Sequence, residues 1–166
     1  MATIKQAPAL DGKVHGISEL TPGDRDRMFQ LLHAYFHGVT RSSFEIDLAE
    51  KEWCVLLRDA DTGTIQGFST LTCVDTTSHG DSILGFFSGD TIVQRDFWGE
   101  MVLMRQWARH VLQQARDHDD AFVYWFLISS GYRTYRFLPL FFDLSTHTTS
   151  VPRRRSCSDT AMPWHR

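Results

Sequence analysis

The chain has 166 residues and a formal charge of −3, with 42% hydrophobic and 22% charged residues. This composition is typical of one folded domain, and the aromatic share of 13% excludes disorder over most of the length. The small negative charge indicates no general attraction for nucleic acid or for an anionic membrane. The longest apolar run, residues 121–128, is far shorter than the roughly 20 residues of a membrane-spanning helix.

From the N-terminal sequence and the cysteines we expect a cytoplasmic protein. The first 13 residues contain no apolar stretch of the kind found in secretion signals. The three cysteines include no CxxC pair, so neither a disulfide framework nor a zinc knuckle is indicated.

The first third of the sequence predicts a strand followed by two helices. We expect the strand around residues 14–20. A helix start follows at Thr21-Pro22-Gly23-Asp24, because threonine can cap the free amides and proline suits the first helical position. Apolar residues then recur at three- and four-residue spacing, which predicts a helix over residues 22–37. A shorter helix is expected over residues 42–51.

The middle of the sequence predicts strands. Residues 53–57 and 64–74 form a predicted hairpin around the turn at 61–63, and a polar break is expected at 75–80. A further strand is expected over residues 82–93. It contains Gly85 and Gly89, which indicate a bulge or a close approach of another group to the backbone.

The second half predicts a long helix, a buried strand and an atypical tail. The helix is expected to end near residue 117, with Leu103, Trp107 and Val111 as its buried stripe and Met104, Ala108 and Leu112 beside them. The continuous apolar run 121–129 is typical of a strand buried on both faces. From residue 143 the sequence is rich in Ser, Thr and Arg, so we expect a domain over residues 1–142 and a disordered tail over residues 143–166.

This order of elements, over residues 13–140, resembles the GNAT N-acetyltransferase superfamily. The resemblance implies a single α/β domain with a mixed, mostly antiparallel sheet flanked by helices. It also implies acetyl-CoA as co-substrate, with its pyrophosphate on the amides of a loop and the following helix start, a site that suits anions. The residues that correspond to this binding stretch are Ile92, Val93, Arg95, Trp98, Gly99, Glu100 and Met101.

The stretch departs from the family's glycine-containing loop pattern. The three positions that the family fills with Arg or Gln, with Gly, and with Gly or Ala hold Trp98, Met101 and Leu103, and only Gly99 between them fits the extended consensus. Bulky side chains can obstruct the approach that glycine permits. Glu100 adds a negative charge, which Arg95 and Arg105 could offset.

The resemblance also implies candidates for proton transfer. Acyl transfer to an amine needs a base for the ammonium and an acid for the leaving thiolate. The acid is expected at Tyr135, with Tyr132 in reserve, and the base at Asp90 beside Gly89. The structural alternatives are that the tyrosines anchor the edge of the core and that Asp90 is a turn or bulge residue.

The leading hypothesis is an acyl-CoA-dependent N-acetyltransferase that acts on an amine of a small molecule. The alternative is a diverged GNAT-like protein that lacks acetyl-CoA activity and binds another ligand or a protein partner. A third reading is a shortened module that oligomerises, since no strand pattern follows residues 137–142 and the edge beside 121–129 could pair in a homodimer. His33 and His37 share a helix face, but no third ligand is indicated, so we expect no metal, no nucleic acid and no membrane partner.

Overall fold

The computed structural model describes residues 9–118 and 120–127, which form one α/β sheet structure. Two short 3-10 turns, Ile17–Glu19 and Arg95–Phe97, interrupt the chain. The helices and strands, in chain order, are β1 Leu10–Gly16, α1 Pro22–Tyr35, α2 Arg41–Ala49, β2 Trp53–Asp59, β3 Ile65–Ser78, β4 Asp81–Val93, α3 Val102–Arg116 and β5 Phe122–Leu127.

The five strands lie in the order β1-β2-β3-β4-β5. The first four pair antiparallel, whereas β5 pairs parallel to β4. A parallel neighbour requires a crossover, and α3 supplies it. The sheet is therefore mixed and mostly antiparallel, which confirms the expected fold class.

Helices cover the two faces of the sheet unequally. On one face, which we call the α1/α2 face, Met28, Leu31 and Leu48 pack with Phe68 and Ile92. On the other, the α3 face, Trp107 and Val111 of α3 pack with residues of β2, β3 and β4: Val55, Leu57, Leu71, Leu84 and Phe86. Along each central strand, successive side chains point alternately into these two cores.

Ion pairs join α1 to α2. Arg25 of α1 donates to Glu45 of α2 across 2.9 Å, and Arg41 of α2 contacts Asp26 of α1. The Arg41 guanidinium also lies over the rings of Phe29 and Phe44. The two helices are thus connected through charge and aromatic packing as well as through the core.

Local signals placed the first helix and the hairpin correctly. Thr21 Oγ1 accepts from the Asp24 amide at 3.1 Å, and the Asp24 carboxylate accepts from the Thr21 amide in return. The β2–β3 hairpin turns at Gly63, whose φ is +69°. These contacts confirm the predicted helix start and turn.

Two strand predictions were wrong. The first strand is Leu10–Gly16 rather than 14–20, because Ile17–Glu19 wind into a 3-10 turn and the Glu19 carboxylate accepts from the Gly16 amide. The polar break at 75–80 shrinks to His79-Gly80, both with positive φ. The polar residues before it continue β3 as an exposed ribbon paired with the start of β4, where β-branched threonines suit a strand.

Two burial predictions were also wrong. Leu112 of α3 is 55% exposed, because the buried stripe follows Met104, Trp107 and Val111. Phe126 of β5 is 59% exposed, so within the described residues β5 is covered on its α3 face and partly open on the other. The sequence run of apolar residues did not distinguish the two faces.

Candidate functional site

A β-bulge interrupts β4 at Gly89 and Asp90. Leu71 pairs with Ser88 and Ser69 pairs with Thr91, so two steps along β3 correspond to three along β4. A Cβ on Gly89 would lie 2.5 Å from Thr70 Oγ1 and 2.9 Å from Lys51 Cε. The bulge therefore requires glycine, in agreement with the sequence interpretation of Gly89.

Beyond the bulge, one edge of β4 carries backbone groups that point away from β3. The described pairing with β5 ends at Ser88 and Leu127, whereas β4 continues to Val93. The Gln94 amide donates to Gln66 on the β3 side, and backbone groups alternate along an antiparallel strand. The N–H and C=O groups of Thr91 and Val93 therefore point away from β3, and among the described residues no residue of β5 pairs with them.

The start of α3 presents amides without a side-chain cap. The first intrahelical bond runs from the Arg105 amide to Met101 O at 3.0 Å, so the amides of residues 102–104 precede it. Met101, at the N-cap position, has no oxygen in its side chain to accept from them. Together with the helix dipole, these amides suit an anionic group such as a phosphate.

The loop before this helix start is exposed at Gly99 and Glu100. Phe97 is buried and anchors the loop, whereas Gly99 has φ +104° and a Cβ there would meet no atom within 4 Å. The bulky Val102 and Leu103 side chains pack against the α3-face core. Of the three departures from the loop pattern, Leu103 therefore has its bulk directed toward the sheet, whereas Trp98 is exposed.

Trp98 lies against the edge of β4. Its indole Nε1 donates to Val93 O at 2.7 Å, and the Arg95 guanidinium lies 5.8 Å from its ring. The Trp98 side chain is 46% exposed. One of the outward-pointing carbonyls of β4 is therefore already occupied by a side chain of the loop.

Asp90 is half-buried beside the bulge, with two charged side chains of opposite sign near it. Burial raises the pKa of Asp90, the Asp47 carboxylate raises it further, and the Lys51 ammonium opposes both. A carboxylate whose pKa is raised is a stronger base than an ordinary carboxylate.

On the α3 face, a side-chain hydrogen bond joins β5 to β4 just before the bulge. Trp125 Nε1 donates to Ser88 Oγ at 3.1 Å, and the Trp125 ring lies 4.2 Å from that of Trp107. Sequence reasoning missed Ser88, Trp125 and also Lys51. The only sequence signal for Lys51 was Asp47 four residues before it, the spacing of a helical ion pair.

The structure brings most of the predicted site residues to one end of β4. Asp90 lies at the bulge, Ile92 is buried in the α1/α2-face core, and Val93 packs on the α3 face. Four others lie on the loop before α3: Arg95, Trp98, Gly99 and Glu100 are exposed, and Met101 at the helix start is partly buried. Tyr132, Tyr135 and the boundary at residue 143 lie outside the described residues.

The described residues contain neither a metal-binding cluster nor a membrane-spanning helix. No group of three or more His, Cys, Asp or Glu side chains in this part of the chain is arranged to hold a metal ion. Among the described helices, none has the length and apolar character needed to cross a bilayer.

Comparison with known proteins shows similarity at the level of structure. No family model matches the sequence, and no curated protein matches it. Among solved structures, the ribosomal-protein-alanine N-acetyltransferase from Brucella melitensis biovar Abortus 2308 superposes with a TM-score of 0.61 at 12% identity, over 89% of this chain and 100% of that one.

Further solved structures give the same result. The aminoglycoside N-acetyltransferase AAC(6')-Iy, in complex with a CoA-containing bisubstrate analogue, has a TM-score of 0.60 at 12% identity, over 89% of this chain and 99% of that one. A tetramutant of the BH1408 protein from Bacillus halodurans has a TM-score of 0.58 at 15% identity, over 86% of this chain and 99% of that one. The chain therefore has the GNAT N-acetyltransferase fold.

Proposed function

We propose that the protein is an acetyl-CoA-dependent N-acetyltransferase whose acceptor is an amine of a small molecule. The observation that carries this proposal is the continuity of the site. A bulged strand with outward-pointing backbone groups at Thr91 and Val93 leads into a loop that is open at Gly99 and a helix start without a side-chain cap. The fold alone does not decide function, but this arrangement supports binding of an extended ligand with an anionic end.

The donor would be held mainly by backbone groups. The amides of residues 102–104 suit the pyrophosphate, and Arg95 and Arg105 on the exposed surface nearby add positive charge. The edge of β4 suits the amide groups of the pantetheine arm. Because backbone groups would bind the donor, the unusual side chains of the loop are compatible with binding.

The reaction requires two proton transfers. The amine nitrogen attacks the thioester carbonyl carbon, the C–S bond breaks, and an amide and a thiol are formed. Asp90 is the proposed base that accepts the proton from the amine, directly or through water. Tyr135, or Tyr132, is the proposed acid that protonates the thiolate sulfur.

A second function is favoured by one contact. Because the Trp98 indole already occupies Val93 O, the β4 edge is less available to a pantetheine arm than an unoccupied edge would be. A GNAT-like protein that binds another ligand or a protein partner without acetyl transfer is consistent with this contact.

Thermal denaturation with CoA and acetyl-CoA tests the proposal. A ligand at 100 times its Kd adds about 2.7 kcal/mol to the free energy of unfolding, which a melting curve resolves. We expect stabilisation by both compounds, and thiol release when amines are added with acetyl-CoA. Stabilisation by CoA without thiol release for any amine would favour the second function, and no stabilisation at millimolar CoA would contradict donor binding.

A further inference from the structure

Lys51 has an unusually enclosed side chain for a lysine. It follows the end of α2 and its side chain is only 7% exposed. The Lys51 ammonium donates to Asp47 Oδ1 at 2.7 Å and to Asp47 O at 3.1 Å. A lysine is rarely buried unless it is paired, so this position is held by a specific partner.

The Lys51 stem packs across the bulge of β4. Its Cε would lie 2.9 Å from a Cβ on Gly89, on the side where Thr70 Oγ1 also approaches. Thr70 is fully buried, and within the described residues its hydroxyl has no hydrogen-bond partner. Thr70 and Lys51 thus enclose the backbone of Gly89, and the next residue is Asp90.

The charged groups that act on Asp90 come from the end of α2. Asp47 and Lys51 are the two, while β3 contributes the uncharged Thr70 beside the bulge. Asp47 raises the pKa of Asp90 and Lys51 lowers it. Because the two side chains are paired with each other, each limits the effect of the other on Asp90.

We propose that Lys51 is a positioning residue for Asp90, whose buried stem supports the β4 bulge and whose ammonium, paired with Asp47, sets the electrostatic environment of the Asp90 carboxyl. This inference rests on the proposed function for its catalytic meaning, since Asp90 is the proposed base. Its physical content is independent of activity.

The test compares Lys51→Met and Asp47→Asn. The readouts are the titration midpoint of Asp90, followed by carboxyl ¹³C NMR and assigned with Asp90→Asn, and the acidic limb of the pH profile of kcat/KM. Lys51→Met is expected to move both upward by about half to one pH unit, and Asp47→Asn is expected to move both downward. The opposite signs separate an electrostatic role from a general loss of structure.

Lys13→Met is the matched control, since Lys13 is exposed on β1 and the charge change is the same. It should leave the Asp90 midpoint unchanged, whereas Lys51→Arg should restore most of the wild-type midpoint. An unchanged midpoint in both test variants, or a shift equal to that of Lys13→Met, would overturn the inference. If Lys51→Met does not fold, Asp47→Asn decides: a downward shift supports the inference and any other result overturns it.

The two proposals can fail separately. If the midpoints move as expected but no amine is acetylated, the proposed function is contradicted while the control of Asp90 by Lys51 and Asp47 is supported. If amines are acetylated and the midpoints do not move, the positioning role is overturned.

Discussion

At the scale of single residues, Gly89 is the glycine near the candidate site that leaves the least space for a side chain. The space for a side chain is closed by Thr70 on β3 and by Lys51 at the end of α2. The Thr70 oxygen is attached to a stiff, fully buried side chain, so it cannot easily move away. A side chain at position 89 would therefore change the shape of β4 and with it the position of Asp90.

We expect Gly89→Ala to lower the free energy of unfolding by about 1–3 kcal/mol, because the added Cβ overlaps Thr70 Oγ1. Chemical denaturation measures this difference. Gly23→Ala is the control, since a Cβ there meets nothing nearer than 3.9 Å and alanine favours a helix, so it should not lower the free energy of unfolding. Thr70→Ala combined with Gly89→Ala should recover part of the loss; an unchanged loss would contradict the overlap as its cause.

The half-buried imidazole of His110 predicts a pH dependence of stability. Burial lowers the pKa of His110, and Nε2 has no hydrogen-bond partner among the described residues. Above the ordinary pKa of about 6.5 the ring is neutral in the folded and the unfolded chain, so its contribution to the free energy of unfolding is fully present. As the pH falls below that value, the unfolded chain takes up a proton before the folded chain does, so stability declines.

Denaturation curves at several pH values between about 7 and 5 measure this effect. His110→Phe keeps a ring against Trp53, which lies 4.6 Å from the imidazole, and should reduce the decline. An identical decline in the variant would show that other groups cause it.

At the scale of elements, the sequence predicted the strongly patterned segments and missed those decided by tertiary contacts. Thr21 and Asp24 fix the start of α1 by themselves, because a capping box is a local interaction. The end of β1 depends on the Ile17 amide, which donates to Glu52 O at 3.0 Å, and the length of β3 depends on its pairing with β4 up to Ser78. Neither leaves a periodic signal.

Part of the candidate site followed from the resemblance and part did not. The positions of Asp90 and Gly99 at the bulge and the loop could be expected from the order of elements. The Trp98 indole bonds to the carbonyl of Val93 in a geometry that no spacing rule describes. Lys51 lies beside Gly89, which is distant from it in the sequence. Such contacts require the folded chain.

The loop before α3 yields a prediction about donor binding. Trp98→Phe keeps an aromatic ring but removes the N–H that occupies Val93 O, so that carbonyl becomes available to a ligand. One hydrogen bond contributes about 0.5–1.5 kcal/mol, so the Kd for CoA should fall about 2- to 10-fold. Isothermal titration calorimetry measures it, and weaker binding in the variant would show instead that the indole contacts the ligand.

At the scale of the whole molecule, the sheet has an edge at β5 within the described residues. Edge strands can pair with a second copy of the chain. The homodimer expected from the sequence remains a prediction, with a mass of twice 19.1 kDa. Light scattering coupled to size exclusion at micromolar concentration measures it, and a monomeric mass would contradict it.

The ion pairs between α1 and α2 also concern the molecule as a whole. Arg25 with Glu45 and Arg41 with Asp26 join the two helices into one unit, and Lys51 follows directly on the end of that unit. A ligand that shifted α1 and α2 by even a fraction of an ångström would therefore change how the Lys51 stem packs beside Gly89. Recognition on the helical layer and proton affinity in the sheet would then be mechanically coupled.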